Sequence, residues 1–479
     1  MFNPISTYRI QFHKDFNFQQ FSAIIPYLQK LGVKTIYASP IFEAVPGSMH
    51  GYDVVNPDRI NPEIGTEEQL RELSSKLKSI GINWLQDIVP NHMAFHPTNI
   101  WLMDVLEKGR QSVYASFFDV TWTSPLFHGR LMVPFLSGSA EEAIQRNEII
   151  IAYEQQRLVL KYFDHAYPLH ARTYKIILQC AENRSDEIQL LITQIEDLHS
   201  ITDAVTYSFH WYEFLLQFEA VMREENYLEE CLEKINSNGN QLLEIVDLQV
   251  YRLCSWQETN QKINYRRFFT VNGLICLNMQ IKEVFDHYHR KIKSFLEEGI
   301  FQGIRVDHID GLYNPTEYLN QLRHLAGDKT YIVVEKILEP GETLPASWPI
   351  QGTTGYDFLG IVNNLFTRNE TASRFSDFYN TLVRDKRSTH EKVSEKKAHI
   401  LFNHMGGELE NLCKLFIELN LSSSNELNRL KPDELKTAIA EFLINSPSIA
   451  TMEIKFHCRL KSNKVLRKFL LNAGKLNLI

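Results

Sequence analysis

Ile82-Asn83-Trp84-Leu85-Gln86-Asp87-Ile88-Val89 reads as a buried strand: a short, mostly apolar run of strand length that carries one acid close to its C-terminal end. Working outward, a helical pattern from Glu67 to Ile80 precedes it. Before that come a buried-type strand, Val33 to Ser39, a helical pattern, Phe18 to Leu31, and an extended stretch, Thr7 to Phe12. The order is βαβαβ. Strands alternating with helices of about ten to fifteen residues favour a parallel sheet with right-handed crossovers, which leaves an open doubly wound sheet or a closed barrel. The Gly-rich phosphate loop of dinucleotide folds is absent after the first strand, where Gln11-Phe12-His13-Lys14 stands, and the barrel is favoured.

Downstream the rhythm breaks and then resumes. From about Met93 to Thr259 longer helical patterns such as Asp186 to His199 and Phe209 to Met222 alternate with aromatic-rich connections, which reads as a large, mainly helical insertion after the third strand. A helical pattern from Ile281 to Leu296, a strand Gly303 to Asp307, a helix Thr316 to Leu325 and a strand Tyr331 to Glu335 follow. The expected organisation is barrel over 1–93, insertion over 94–260, barrel over 261–360, a helical segment over 361–447 and an atypical basic tail over 448–479. The fold class expected is α/β, a (β/α)8 TIM-type barrel that the chain leaves incomplete.

With 44% hydrophobic and 23% charged residues the chain has the composition of a globular protein, and at 479 residues it can bury a large core. The net charge of −8 gives no general attraction to nucleic acid or anionic lipid. No run of about 18 apolar residues and no signal-type N-terminus occurs, so a soluble cytoplasmic protein without membrane or nucleic-acid partners is expected. The six cysteines are scattered with no CxxC pair, which reads as reduced thiols rather than a zinc site. No metal and no cofactor is expected.

Three acids end apolar strands: Asp87, Asp307 in Gly303-Ile304-Arg305-Val306-Asp307-His308, and Glu335 in Val333-Val334-Glu335-Lys336. In a parallel barrel all three fall on the one rim where active sites are built. Arg305, two residues from Asp307, points to the same face of its strand and keeps that carboxylate ionised, as a nucleophile requires. Glu335 follows four apolar or aromatic residues, a setting suited to a general acid. Two carboxyl groups tuned apart are what retaining glycoside chemistry uses. His92 and His308 belong to the same rim, and Ser48-Met49-His50-Gly51-Tyr52-Asp53, in the loop after the second strand, offers a Tyr to stack on a pyranose and polar groups to fix hydroxyls. Each of these has an ordinary structural reading as well: a strand-end salt bridge, a satisfied histidine, a packed tyrosine.

Asp87-Ile88-Val89-Pro90-Asn91-His92, Gly303 to His308 and Val333 to Lys336 resemble, in order, the signatures of the α-amylase clan. Narrower stretches resemble its maltooligosyl trehalose synthase family: Thr7-Tyr8-Arg9-Ile10-Gln11, Ser48 to Asp53, Ile263-Asn264-Tyr265-Arg266-Arg267-Phe268-Phe269 and Gly352-Thr353-Thr354-Gly355-Tyr356-Asp357-Phe358. That resemblance implies a maltodextrin substrate and an intramolecular transglucosylation. It assigns Asp307 as nucleophile, Glu335 as acid/base and Arg305 as the nucleophile's partner. Tyr52, Asp53, Asp87, Asn91 and His92 would shape the attacked sugar's subsite, with His50 and His308 nearby, and maltooligosyl trehalose trehalohydrolase would be the pathway partner. The family also carries a third essential Asp on a later strand, for which no matching motif occurs before Ile479. A plain α-glucan hydrolase and a non-catalytic remnant are the competing expectations.

Overall fold

The computed structural model describes residues 2–180, 184–224, 227–339, 341–385, 387–419 and 431–446. The tail read as 448–479 lies outside them. The chain divides into two units, one of residues 1–258 and 264–333, the other of 259–263 and 334–479.

In the first unit the strands Thr7–Ile10, Thr35–Ala38, Asn83–Ile88, Gly303–Val306 and Tyr331–Val334 are neighbours in that order; within the second, Thr354 N–H donates to the Val334 carbonyl at 3.0 Å. This arrangement is a curled half-barrel. The first four strands pair in parallel, with Arg9 opposite Tyr37, Tyr37 opposite Leu85, and Arg305 opposite Asp87. Side chains alternate across a sheet, so Arg9, Tyr37, Asp87 and Arg305 share one face while Ile36, Trp84, Gln86 and Ile304 share the other.

The second of these faces is covered by helices. Helix Phe18–Leu31 starts at Asn17, which forms a capping box with Gln20, and ends at Gly32 in the left-handed region. It buries Phe18, Phe21, Ile25 and Leu28, and Phe12 and Phe21 pack on Trp84 with ring centroids 6.0 and 6.1 Å away. Helix Glu67–Ser79 repeats the device with Thr66 and Gln69. The sequence boundaries for these elements hold to within two residues at each end.

Between the third and fourth sheet strands helices predominate, but they flank small sheets that periodicity did not resolve. Ile149–Glu154, Arg157–Tyr162 and His165–Pro168 form an antiparallel sheet, and Leu131–Leu136 pairs in parallel with Tyr251–Ser255. A third sheet joins His92–Ala94, Val271–Cys276 and Arg267–Phe268. The loop that carries Ser48 to Asp53 runs into a further strand, Val54–Ile60, paired with Phe42–Ala44.

The second unit is helical beyond Gly352–Thr353. Gly406–Glu418 and Pro432–Asn445 pack around Leu409, Cys413, Ile439 and Ala440, and Asn411 ties to the Ile263 carbonyl at 2.7 Å. Among the described residues no helix is long and apolar enough to cross a membrane, and the described cysteines are free thiols.

Three buried histidines are held neutral. Burial pushes His92 and His170 down to about 3 and His289 to about 4. His289 shows why: its Nδ1 lies 2.8 Å from the Phe285 carbonyl and its Nε2 2.9 Å from the Tyr318 hydroxyl, so one nitrogen donates and the other accepts. All three values lie below the ordinary 6.5, so the unfolded chain binds more protons between them. Their contribution to stability is complete above about pH 6.5 and is lost as pH falls toward 3 to 4, at up to about 1.4 kcal/mol per pH unit for each histidine. Urea midpoints at pH 7, 6 and 5 should therefore fall, and His289→Gln should make the fall shallower by about a third. Identical slopes for variant and wild type would refute the assignment.

Candidate active site

The sheet register brings four strand ends to one point. Asp87, fully buried, accepts from Tyr52 Oη at 2.6 Å and Tyr37 Oη at 3.1 Å on Oδ2, and from Arg305 Nη1 at 2.7 Å on Oδ1. The same Arg305 Nη1 lies 2.7 Å from Asp307 Oδ1, so one buried guanidinium serves two carboxylates. Arg9 closes the group: Nη2 donates to Tyr52 Oη at 2.9 Å, Nη1 lies 3.5 Å from Asp87, and the guanidinium sits 4.5 Å above the Tyr37 ring.

The electrostatics follow from this wiring. Burial pushes the Asp87 carboxyl up, and Arg305, the Tyr52 hydroxyl and Arg9 oppose it. Burial beside Asp87 pushes the Tyr37 and Tyr52 phenols well up, so both stay neutral donors. Since Tyr52 spends its one proton on Asp87, its ring is fixed and its hydroxyl is left as an acceptor.

A second group adjoins the third strand. Asn91 Oδ1 accepts from Arg266 Nη1 at 3.1 Å, which settles the amide orientation, because a guanidinium only donates. Its Nδ2 then faces His92 Nδ1 at 3.3 Å, placing the His92 proton on Nε2. That Nε2 is buried and makes no hydrogen bond of good geometry. Arg266 is itself anchored on Asp119 Oδ2 at 2.7 Å and the Gly311 carbonyl at 2.6 Å. Phe268 packs against both histidines, 4.5 Å from His92 and 4.8 Å from His308.

Gly311 makes this packing possible. A Cβ there would run into the His308 ring and come within 2.6 Å of Asn91 Oδ1. Gly311→Ala should therefore displace His308 and lower stability by about 1–3 kcal/mol. A thermal melt checks it; an unchanged melting temperature would mean that the His308 ring is not held against Gly311.

His50 and Asp53 form a separate knot in their loop. Asp53 accepts from Ser48 Oγ at 2.5 Å and lies 3.6 Å from His50 Nδ1, which also accepts from Tyr52 N–H at 3.0 Å. This knot sets the backbone on either side of Tyr52. Glu335 belongs to the second unit, where it is half-buried and Tyr356 Oη approaches its Oε1 at 3.4 Å. Sequence reasoning gave no role to Arg9, Tyr37, Arg266 or Tyr356. Three of them sit in the Thr7 to Gln11, Ile263 to Phe269 and Gly352 to Phe358 stretches that had served only for resemblance.

A parallel α/β sheet with paired acids at its strand ends is the arrangement of the α-amylase fold, and the family model described as alpha amylase, catalytic domain, matches residues 19–147. Within that clan the chain is homologous to the maltooligosyl trehalose synthases. A putative maltooligosyl trehalose synthase of Mycobacterium tuberculosis is 30% identical over 418 residues, 86% of this chain and 45% of that protein. The maltooligosyltrehalose synthase of Arthrobacter ramosus superposes with a TM-score of 0.69 at 29% identity, covering 92% of this chain and 48% of that one. A hypothetical maltooligosyl trehalose synthase of Sulfolobus tokodaii does so at 0.70 and 30%, covering 100% and 53%. The chain thus spans about half the length of the relatives it matches.

Proposed function

We propose that the chain acts on maltodextrins in the manner of a maltooligosyl trehalose synthase, converting the reducing-end α-1,4 linkage into an α,α-1,1 linkage with retention. The observation that carries this reading is the single Arg305 guanidinium shared by Asp307 and Asp87, with Tyr52 locked on the far oxygen of Asp87. It sets two strand-end carboxylates on one buried cation, and of the two Asp87 also takes the Tyr37 and Tyr52 hydroxyls.

Asp307 Oδ attacks the anomeric carbon, and the glycosidic oxygen leaves with a proton from Glu335. The glycosyl ester forms and glucose is released into the site. The glucose turns, gives its anomeric hydroxyl proton to Glu335, and its oxygen attacks the same carbon while Asp307 leaves. Tyr52, Asp53, Asp87, Asn91 and His92 form the subsite of the attacked sugar, with His50 and His308 at its edge. Keeping water from the ester is what separates this reaction from hydrolysis. The setting proposed is the cytoplasm, with maltooligosyl trehalose trehalohydrolase taking the product. The domain limits 1–93, 94–260, 261–360 and 361–447 are offered as working boundaries for this enzyme.

Maltopentaose incubated with the purified chain, with reducing ends and free glucose followed together, tests the reading. Reducing ends lost without matching glucose support it. Glucose released in step with new reducing ends makes the chain a hydrolase instead.

A further inference from the structure

The hairpin joining Arg267–Phe268 to Val271–Cys276 turns through Phe269 and Thr270, since Phe268 pairs with Val271. Its first turn residue, Phe269, has φ +49°. Tight hairpin turns with a positive φ at that position take Gly, Asn or Asp, and a bulky aromatic there is strained. Packing does not compensate, because Phe269 remains 54% exposed. What it does touch is the site: its ring lies 4.6 Å from Phe268 and 5.0 Å from His308, the residue after Asp307, which is itself left-handed at φ +48°. The hairpin's other strand pairs with His92–Ala94, so Phe269 is carried on the same small sheet as His92.

We infer that Phe269 is a stacking platform for a glucosyl ring at the rim of the Asp307 site, kept in a strained turn so that its face stays open to the ligand. An aromatic face against the apolar face of a pyranose is a standard way to hold a sugar without fixing its hydroxyls. Such a surface holds a ring while allowing it to turn, and on the reading proposed above, that makes Phe269 a determinant of transfer over hydrolysis. The inference rests on that reading for its substrate class, and on the strain and exposure of Phe269 for its place.

Isothermal titration of the purified chain with maltopentaose, alongside melts of each variant, tests it. Phe269→Ala and Phe269→Leu should weaken binding about tenfold, while Phe269→Trp stays within about twofold of wild type. Phe269→Gly relieves the turn, so its melting temperature should rise even as it loses the same affinity; an aromatic with only a structural role would give a lower melting temperature instead. Unchanged affinity in the Ala and Gly variants, with wild type binding, overturns the platform alone. Wild type that fails to bind maltopentaose overturns both the platform and the glucan reading beneath it.

Discussion

Replacing Arg305 by alanine is expected to cost roughly 3–5 kcal/mol of stability at neutral pH, the range found when one partner of a buried ion pair is removed. The guanidinium is buried and is the shared donor between Asp87 and Asp307, both on the interior face of the sheet. Its loss leaves two carboxylates facing each other, with Arg9, partly solvated, still 3.5 Å from Asp87. The pH dependence has a definite sign. Burial already pushes the Asp87 carboxyl up, and without Arg305 its main opposing charge is gone, so the folded state regains stability as pH falls and Asp87 protonates. The deficit relative to wild type should therefore shrink between pH 7 and pH 5. Arg305→Lys keeps a charge but not the planar fork, and should fall between the two. Urea unfolding of the three proteins at both pH values decides the matter: a deficit below about 1 kcal/mol, or one that grows on acidification, would mean that the pair is not what holds these strand ends together.

The part of this site legible in the sequence is the part set by alternation along single strands. Arg305 and Asp307 are two residues apart and so share a face, and each acid stood at the end of an apolar run. What was not legible depends on register between strands distant in sequence. Arg9 reaches Tyr52 and Asp87 because Thr7–Ile10 pairs with Thr35–Ala38 and that strand with Asn83–Ile88, a pairing no local pattern encodes. Arg266 and Phe268 meet Asn91 and His92 through a three-stranded sheet whose members lie some 175 residues apart. The same holds for the insertion. Its helices show a clear period, whereas strands such as Arg157–Tyr162 and His165–Pro168 are short, and their alternation is blurred by burial on both faces. The environment expected for Glu335 was drawn from its apolar neighbours in sequence, but the residue itself is only half-buried and meets a hydroxyl from Tyr356.

The two acids on Arg305 should separate when each is replaced by asparagine. Asp307→Asn leaves Arg305 its bond to Asp87, so stability should change by less than about 1 kcal/mol. On the reading proposed above Asp307 is the nucleophile, so maltopentaose turnover should fall roughly 10⁴-fold or more. Asp87→Asn does the reverse. Three donors converge on that carboxylate, from Tyr37, Tyr52 and Arg305, with Arg9 3.5 Å away, and an amide NH2 in place of one oxygen sets donor against donor in a fully buried position. A cost of about 3 kcal/mol is expected, with loss of turnover following from the collapse of Tyr52 and Arg305 rather than from missing chemistry. Asp87→Asn should accordingly lose maltopentaose affinity, whereas Asp307→Asn should keep it, because Tyr52 and its anchors are untouched. If the two variants lose stability and affinity alike, Asp87 and Asp307 are equivalent members of one structural ion pair, and the nucleophile must be sought elsewhere on the rim.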